Sequence, residues 1–153
     1  MKDIPKEEAL SLLARPMFCE DPDDWEPVKL QAGTVILRAG LVDIDGLSAQ
    51  LQAELMFRRS HKTGITMYKF TVFKRQPYGL ERVYQLDVVQ SKVRIKDTHS
   101  LPHEHIGTSR EQGDASWATW GYDEVLAHFC ARTNISFKPP PNHPEFFQLK
   151  GNK

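Results

Sequence analysis

The stretch "SAQLQAELMF" at residues 48–57 alternates between polar and apolar side chains from Ser48 to Leu55, and Met56 is the one apolar residue at a polar position. Side chains two residues apart in a strand project the same way, so the apolar members would share one face. Turn signals flank the stretch, "DG" at 45–46 and "RRSHKTG" at 58–64. We therefore predict a strand with one buried face. That face would consist of Ala49, Leu51, Ala53, Leu55 and Phe57.

The neighbouring segments repeat this pattern and predict a sheet. Residues 34–44, 65–74 and 82–89 are rich in apolar side chains and are separated by short turns, and "KVRIK" at 92–96 ends the run. Short strands joined by short turns favour an antiparallel meander. We therefore expect an α+β fold built on a curved antiparallel sheet of about five strands. Its predicted aromatic core contains Tyr68, Phe70, Phe73 and Tyr84.

Two helices are predicted at the ends of this sheet region. "IPKEEALSLLAR" follows Asp3, which could cap a short N-terminal helix. Residues 121–133, "GYDEVLAHFCART", have helical spacing, and Asn134 is a plausible stop. We expect this C-terminal helix to pack across one face of the sheet. Its apolar side would present Tyr122, Val125, Leu126 and Phe129.

The chain is predicted to form a single domain spanning residues 1–153. Residues 1–32 would hold the short helix and an acidic loop, "CEDPDDWEP", without regular structure. Residues 33–134 would form the sheet and helix core. Residues 135–153 would form an irregular Pro-rich tail, pinned to the body by Phe146 and Phe147.

The composition is that of a globular protein, with 40% hydrophobic and 26% charged residues among 153. No apolar run approaches the roughly 20 residues that a membrane-spanning helix needs, and the N-terminus lacks the pattern of a signal peptide. Cys19 and Cys130 stand alone and form no metal-binding pair. We therefore expect a cytoplasmic protein that does not enter a membrane.

Charge is distributed unevenly along a chain whose net charge is zero. Residues 1–56 contain five Lys/Arg and eleven Asp/Glu, whereas residues 57–97 contain ten Lys/Arg and three Asp/Glu. The basic middle could attract phosphate groups. Alternatively, its lysines line the outer face and edges of the sheet and keep it soluble. The candidate nucleic-acid-binding residues are Arg58, Arg59, Lys92, Arg94 and Lys96.

The segment "THSLPHEHIGTSR" at residues 98–110 holds three of the six histidines. In an extended strand His103 and His105 would point to one side and Glu104 to the other. Imidazoles titrate near neutral pH, so one can accept a proton while the other donates one. Cleavage of RNA without a metal or cofactor requires such a pair. The predicted catalytic residues are His103 and His105, with His99 as a third candidate.

Two other interpretations of the histidines stay open. Histidines two residues apart can hold a metal ion, with His99 or Glu111 completing the ligand set. They can also hydrogen-bond in a polar turn and do no chemistry. Away from this segment, His128 is interpreted as a packing residue of the last helix.

The order of these features resembles the TumE-like toxin family of toxin–antitoxin pairs. The resemblance covers about residues 33–134 and rests on "GLSAQLQAELMFRR", "MYKFTVFK", "RVYQLDVV", "HSLPHEHIG" and "YDEVLAHFCA". It implies a toxin acting on RNA or on translation, an antitoxin protein as partner, and functional interest in His103 and His105. The longer, more basic segment "KVRIKDTHS" departs from the family pattern, and both chain ends look like additions.

A function of a different class is also consistent with the charge pattern. A non-enzymatic phage or mobile-element inhibitor could use the separated acidic and basic segments to bind a charged protein or nucleic acid. The sequence gives no indication of the oligomeric state in either case.

Overall fold

The computed structural model describes residues 2–90 and 101–145. Within these ranges the protein has an α+β fold with two α-helices, a 3-10 helix and a ten-stranded, mainly antiparallel sheet. The helices are α1 (Lys6–Leu13), the 3-10 helix (Ala115–Thr119) and α2 (Tyr122–Thr133). The strands are β1 (Lys2–Asp3), β2 (Met17–Glu20), β3 (Glu26–Pro27), β4 (Thr34–Val42), β5 (Ser48–Arg59), β6 (Thr66–Gln76), β7 (Gly79–Gln90), β8 (His103–Ile106), β9 (Ser109–Gln112) and β10 (Ile135–Lys138).

The sheet is built around the predicted meander. Strands β4 to β7 are long and pair antiparallel in chain order, because each is followed by a short turn. The full order is β10-β2-β4-β5-β6-β7-β8-β9, with β1 beside β7 and β3 beside β4. Two pairs are parallel, β10 with β2 and β1 with β7.

The prediction of about five strands is wrong because short segments near both chain ends join the sheet. Strands β2 and β3 form inside the region expected to be an irregular acidic loop, and β10 forms inside the expected irregular tail. Strand β10 buries Ile135 and Phe137 and pairs with β2. Runs of four residues are too short for their alternation to be distinguished from chance. The predicted strand at 92–96 and the residues Phe146 and Phe147 lie outside the described residues.

The predicted role of Asp3 as a helix cap is also wrong. Asp3 lies in β1, and its carboxylate accepts two hydrogen bonds from Arg82, at 2.7 Å from Nε and 3.0 Å from Nη2. Helix α1 begins at Lys6, directly after Pro5. A bidentate pair with a guanidinium is stronger than the single backbone hydrogen bond that a cap makes.

The core lies between α2 and one face of the sheet. The apolar residues predicted for β5 from Leu51 to Phe57 are buried there. On α2, Phe129 packs edge-on against Phe70 with a centroid distance of 5.6 Å and against Tyr84 at 5.9 Å. Asn134 ends the helix in the left-handed conformation, with φ 57°. Helix α2 therefore covers one face of the sheet, as predicted, and we call this the inner face.

Phe73 is buried, as predicted, but lies outside the main core cluster. A register irregularity between Val72 and Phe73 interrupts the pairing of β6 with β7. Phe73 pairs with Gln52 and Arg82 in register, so its side chain lies on the outer face, opposite α2.

The described ranges contain no helix that is long and apolar enough to cross a membrane.

Candidate functional site

The histidine segment forms edge-proximal strand β8, which pairs with β7 and β9. His103 and His105 project onto the outer face, with ring centroids 5.0 Å apart at 81°. Glu104 projects onto the inner face and is buried there. Gly107 ends the strand with φ 54°, a conformation that glycine adopts without steric cost. The β geometry therefore brings two imidazoles to one small volume.

Asp87 on β7 joins the two imidazoles. It is the register partner of His103, and side chains opposite each other in an antiparallel pair share a face. Its Oδ2 lies 3.1 Å from Nε2 of His103 and 3.8 Å from Nε2 of His105. Asp87 was not among the predicted site residues, because "RVYQLDVV" was interpreted only as a strand. The available signal was a carboxylate on the polar side of that strand.

The surroundings of His103 favour its imidazolium form. Its Nδ1 lies 3.0 Å from the carbonyl oxygen of Leu101, and its Nε2 faces Asp87. Both partners are hydrogen-bond acceptors, so the imidazolium form, with a proton on each ring nitrogen, satisfies both contacts. The hydrogen bond with Asp87 raises the pKa of His103 above its ordinary value, and it outweighs the lowering that burial causes.

His105 is held as a neutral imidazole. Burial lowers its pKa to about 4, and the positive charges of Arg82 and His103 contribute in the same direction. Among the described residues, its ring nitrogens make no hydrogen bond. A neutral imidazole with a free lone pair therefore stands beside a cationic one. Neighbouring groups whose protonation is driven apart in this way are suited to act as base and acid.

A chain of polar contacts fixes the carboxylate of Asp87. Nε2 of Gln85 donates to Oδ1 of Asp87 at 3.3 Å, and Nη1 of Arg82 donates to Oε1 of Gln85. Asp3 in turn holds Arg82. Strands β1 and β7 therefore position the carboxylate through side chains that are themselves anchored, which is how a precise site is supported.

The same three side chains could also hold a metal ion. The ligand atoms of Asp87, His103 and His105 all lie within 4.8 Å of one another. Two imidazoles and one carboxylate suit zinc, iron or manganese. Glu111, one of the two residues considered as a completing ligand, does not reach this cluster. It is the register partner of Glu104, on the opposite face from the histidines, and it pairs with Lys6 at 3.2 Å. His99 lies outside the described residues.

The predicted basic residues do not lie together in the described part of the chain. Lys92, Arg94 and Lys96 lie outside the described residues. Arg58 is exposed and follows Met56 by two residues on the same strand, so it lies on the outer face. Arg59 is engaged elsewhere, at 3.1 Å from Glu145 and 3.3 Å from Thr66.

Two further cations lie beside the histidines, and neither was among the predicted site residues. Lys69 is the register partner of Asp87, and Arg110 is the register partner of His105. Both are exposed, and neither forms an ion pair within residues 2–90 and 101–145. Strand pairing, which composition alone does not give, brings these charges to the site.

On the inner face, His128 has the packing role expected of it. Its ring lies 4.6 Å from that of Trp117 and 5.2 Å from that of Trp120, which stack on each other at 4.9 Å. Its Nε2 lies 3.3 Å from Glu104. The tryptophans are half-buried against the core, so this cluster closes the core beside the start of α2.

The chain was compared with known proteins in three ways. No family model matches it, and no curated protein and no solved structure matches it either.

Proposed function

We propose that this protein is a ribonuclease that acts as the toxin of a toxin–antitoxin pair in the cytoplasm, with His105 as general base and His103 as general acid. One observation carries the proposal: two imidazoles share one face of a strand, and Asp87 lies 3.1 Å from one of them. The contact with Asp87 raises the pKa of His103, whereas burial lowers that of His105. That difference in protonation is what metal-free cleavage of a phosphodiester needs.

The proposed reaction uses the ribose 2′-hydroxyl as nucleophile. Nε2 of His105 takes the hydroxyl proton while the 2′-oxygen forms a bond to phosphorus. The bond from phosphorus to the 5′-oxygen breaks, and His103 gives that oxygen a proton. The products are a 2′,3′-cyclic phosphate and a 5′-hydroxyl end. Asp87 is a positioning residue that keeps His103 charged, and Lys69 and Arg110 supply positive charge near the phosphorane.

The test is cleavage of single-stranded RNA by the purified chain in the presence of a chelator. Wild type is compared with the His103→Ala/His105→Ala double variant and with His143→Ala as matched control. His143 is half-exposed and pairs with Asp123 at 3.0 Å, on a different part of the surface. We expect RNA cleavage and growth inhibition from wild type and the control only. Equal cleavage by the double variant would remove the assignment.

A metal-dependent enzyme is the second candidate, favoured by the mutual distances within Asp87, His103 and His105. It requires bound zinc, iron or manganese in the purified protein, measured by elemental analysis, and loss of activity in chelator. The two candidates give opposite results in the chelator arm, because the acid–base mechanism uses protons alone.

A further inference from the structure

Beside the histidines, the outer face carries a cross-strand groove of about 210 Å³. Two rows of residues, each paired in register across strands β6, β7 and β8, connect the groove to the histidines. In one row, Thr71 pairs with Gln85 and Gln85 pairs with His105. In the other, Lys69 pairs with Asp87 and Asp87 pairs with His103. The groove therefore begins one strand away from the histidine strand.

The groove is lined by apolar, hydroxyl and charged side chains. Met56 and Phe73, which is 6% exposed, supply the apolar part. Lys69 and Arg82 are basic, and the acidic Glu54 lies 3.6 Å from Arg38. Thr71 is 4% exposed and lines the groove between Lys69 and Phe73. Its hydroxyl is not one of the buried side-chain atoms that lack a hydrogen-bond partner among the described residues, and it can donate or accept a hydrogen bond. The hydroxyl and the Lys69 ammonium can thus contact a ligand.

We propose that this groove binds one nucleotide of a single-stranded RNA, next to the phosphate held at His103 and His105. The base lies against Phe73 and Met56, the hydroxyl of Thr71 hydrogen-bonds to it, and Lys69 pairs with a phosphate. This proposal rests on the proposed function, which places a phosphodiester at the histidines.

The size and charge of the groove favour this occupant. Pockets that take a whole small-molecule ligand measure roughly 300–1,000 Å³, so a groove of about 210 Å³ suits one ring system of a longer substrate. Apolar and aromatic side chains bind any base face, and flanking cations bind the backbone. Arg58 and Arg110 extend the positive charge to either side of the rows on the same face.

The test uses a fluorescent RNA hexamer with 2′-O-methyl groups, which cannot be cleaved through the 2′-hydroxyl. Binding is measured by anisotropy for wild type, Lys69→Gln and Thr71→Val. Lys62→Gln, in the exposed turn between β5 and β6, is the matched control for charge. Thr71→Ser, which keeps the hydroxyl, is the control for the groove. Thermal melting establishes that each variant is folded.

We expect Thr71→Val to weaken binding by about three- to tenfold, as the loss of one net hydrogen bond does, and Thr71→Ser to bind like wild type. Lys69→Gln should also weaken binding and reduce the salt dependence of log K by about 0.7, the value for one phosphate contact on a single strand. Lys62→Gln should change neither quantity.

The same titration is run with the His103→Ala/His105→Ala variant, so that binding and cleavage are separated. If the hexamer binds through Lys69 and Thr71 but wild type cleaves no RNA, the groove assignment stands and the proposed function falls. If wild type cleaves RNA but folded Lys69→Gln and Thr71→Val bind the hexamer like wild type, the groove assignment is overturned. Failure of wild type to bind the hexamer overturns it as well.

Discussion

The Nε2 atom of His103 lies 3.1 Å from Oδ2 of Asp87, across the pairing of β8 with β7. The other ring nitrogen of His103 is occupied by the carbonyl oxygen of Leu101. This geometry favours the cationic form of His103, and its positive charge adds to burial and to Arg82 in lowering the pKa of the neighbouring His105. Asp87 therefore raises the pKa of His103, whereas burial and the charges of Arg82 and His103 lower the pKa of His105.

Replacing Asp87 tests that relationship. Without the anion, His103 loses its proton at lower pH, and the fraction of protein with a charged acid falls at neutral pH. For Asp87→Asn we expect kcat/KM for RNA cleavage at pH 7.5 to fall by about tenfold or more, within the range that a general acid contributes. Asp123→Asn is the control, since Asp123 also pairs with a histidine but at the surface. An unchanged rate for Asp87→Asn would contradict the role given to it.

The pH profile of kcat/KM should be bell-shaped. His105 must be neutral to act as base, so activity rises with pH through about 4, where its pKa lies. His103 must be protonated to act as acid, and its pKa is raised above the ordinary 6.5, so activity falls only above that pH. The two limbs belong to the coupled pair.

Asp87→Asn should move the alkaline limb of this profile to lower pH, whereas His143→Ala should leave both limbs in place. Measurement of initial rates from pH 3.5 to 9 gives the profile directly. A flat profile across that range would exclude the histidine pair as the source of the proton transfers.

The long strands and the shared face of His103 and His105 were predictable from the sequence, because both depend on the two-residue period of a strand. Asp87 could not be assigned to the site, because it is distant in sequence and its position depends on which strand lies beside β8. The same holds for Lys69, one strand further on. The short strand β10 was missed because its pairing with β2, rather than its own pattern, makes it a strand.

Glu104 is expected to stabilise the fold rather than to act in the site. Its buried carboxylate accepts hydrogen bonds from Tyr84 and from Arg132, at 3.0 Å from Nε and 3.2 Å from Nη2. Hydrogen bonds to a buried charge are worth more than neutral ones, so Glu104→Gln should lower the free energy of unfolding by about 2 kcal/mol. Urea denaturation measures this. Glu111→Gln, at a half-exposed ion pair with Lys6, should cost much less.

The contribution of Glu104 to stability should disappear at low pH. Burial alone would raise the pKa of Glu104, but hydrogen bonds from His128, Arg132 and Tyr84 outweigh it and lower the pKa to about 2. The folded pKa lies below the ordinary 4.5, so the contribution to stability is complete above pH 4.5 and is lost as pH falls toward 2. The wild-type melting temperature should therefore fall more steeply in this window than that of Glu104→Gln. Parallel curves would show that Glu104 is not the titrating group.

Gly107 is expected to be irreplaceable in the hairpin that carries His105. Its φ is 54°, and a Cβ there would lie 2.4 Å from the carbonyl oxygen of Ile4 and 2.8 Å from the backbone of Pro5. Gly46 has φ 81° and open space around it, so Gly46→Ala measures the cost of the positive φ alone, about 1–2 kcal/mol. Gly107→Ala should lower the free energy of unfolding by more than Gly46→Ala does, because backbone atoms must also move. It should also reduce RNA cleavage, because β8 carries the histidines and would shift. Equal urea midpoints for the two variants would mean that Ile4 and Pro5 move away at no cost and that their contact with Gly107 does not stabilise the hairpin.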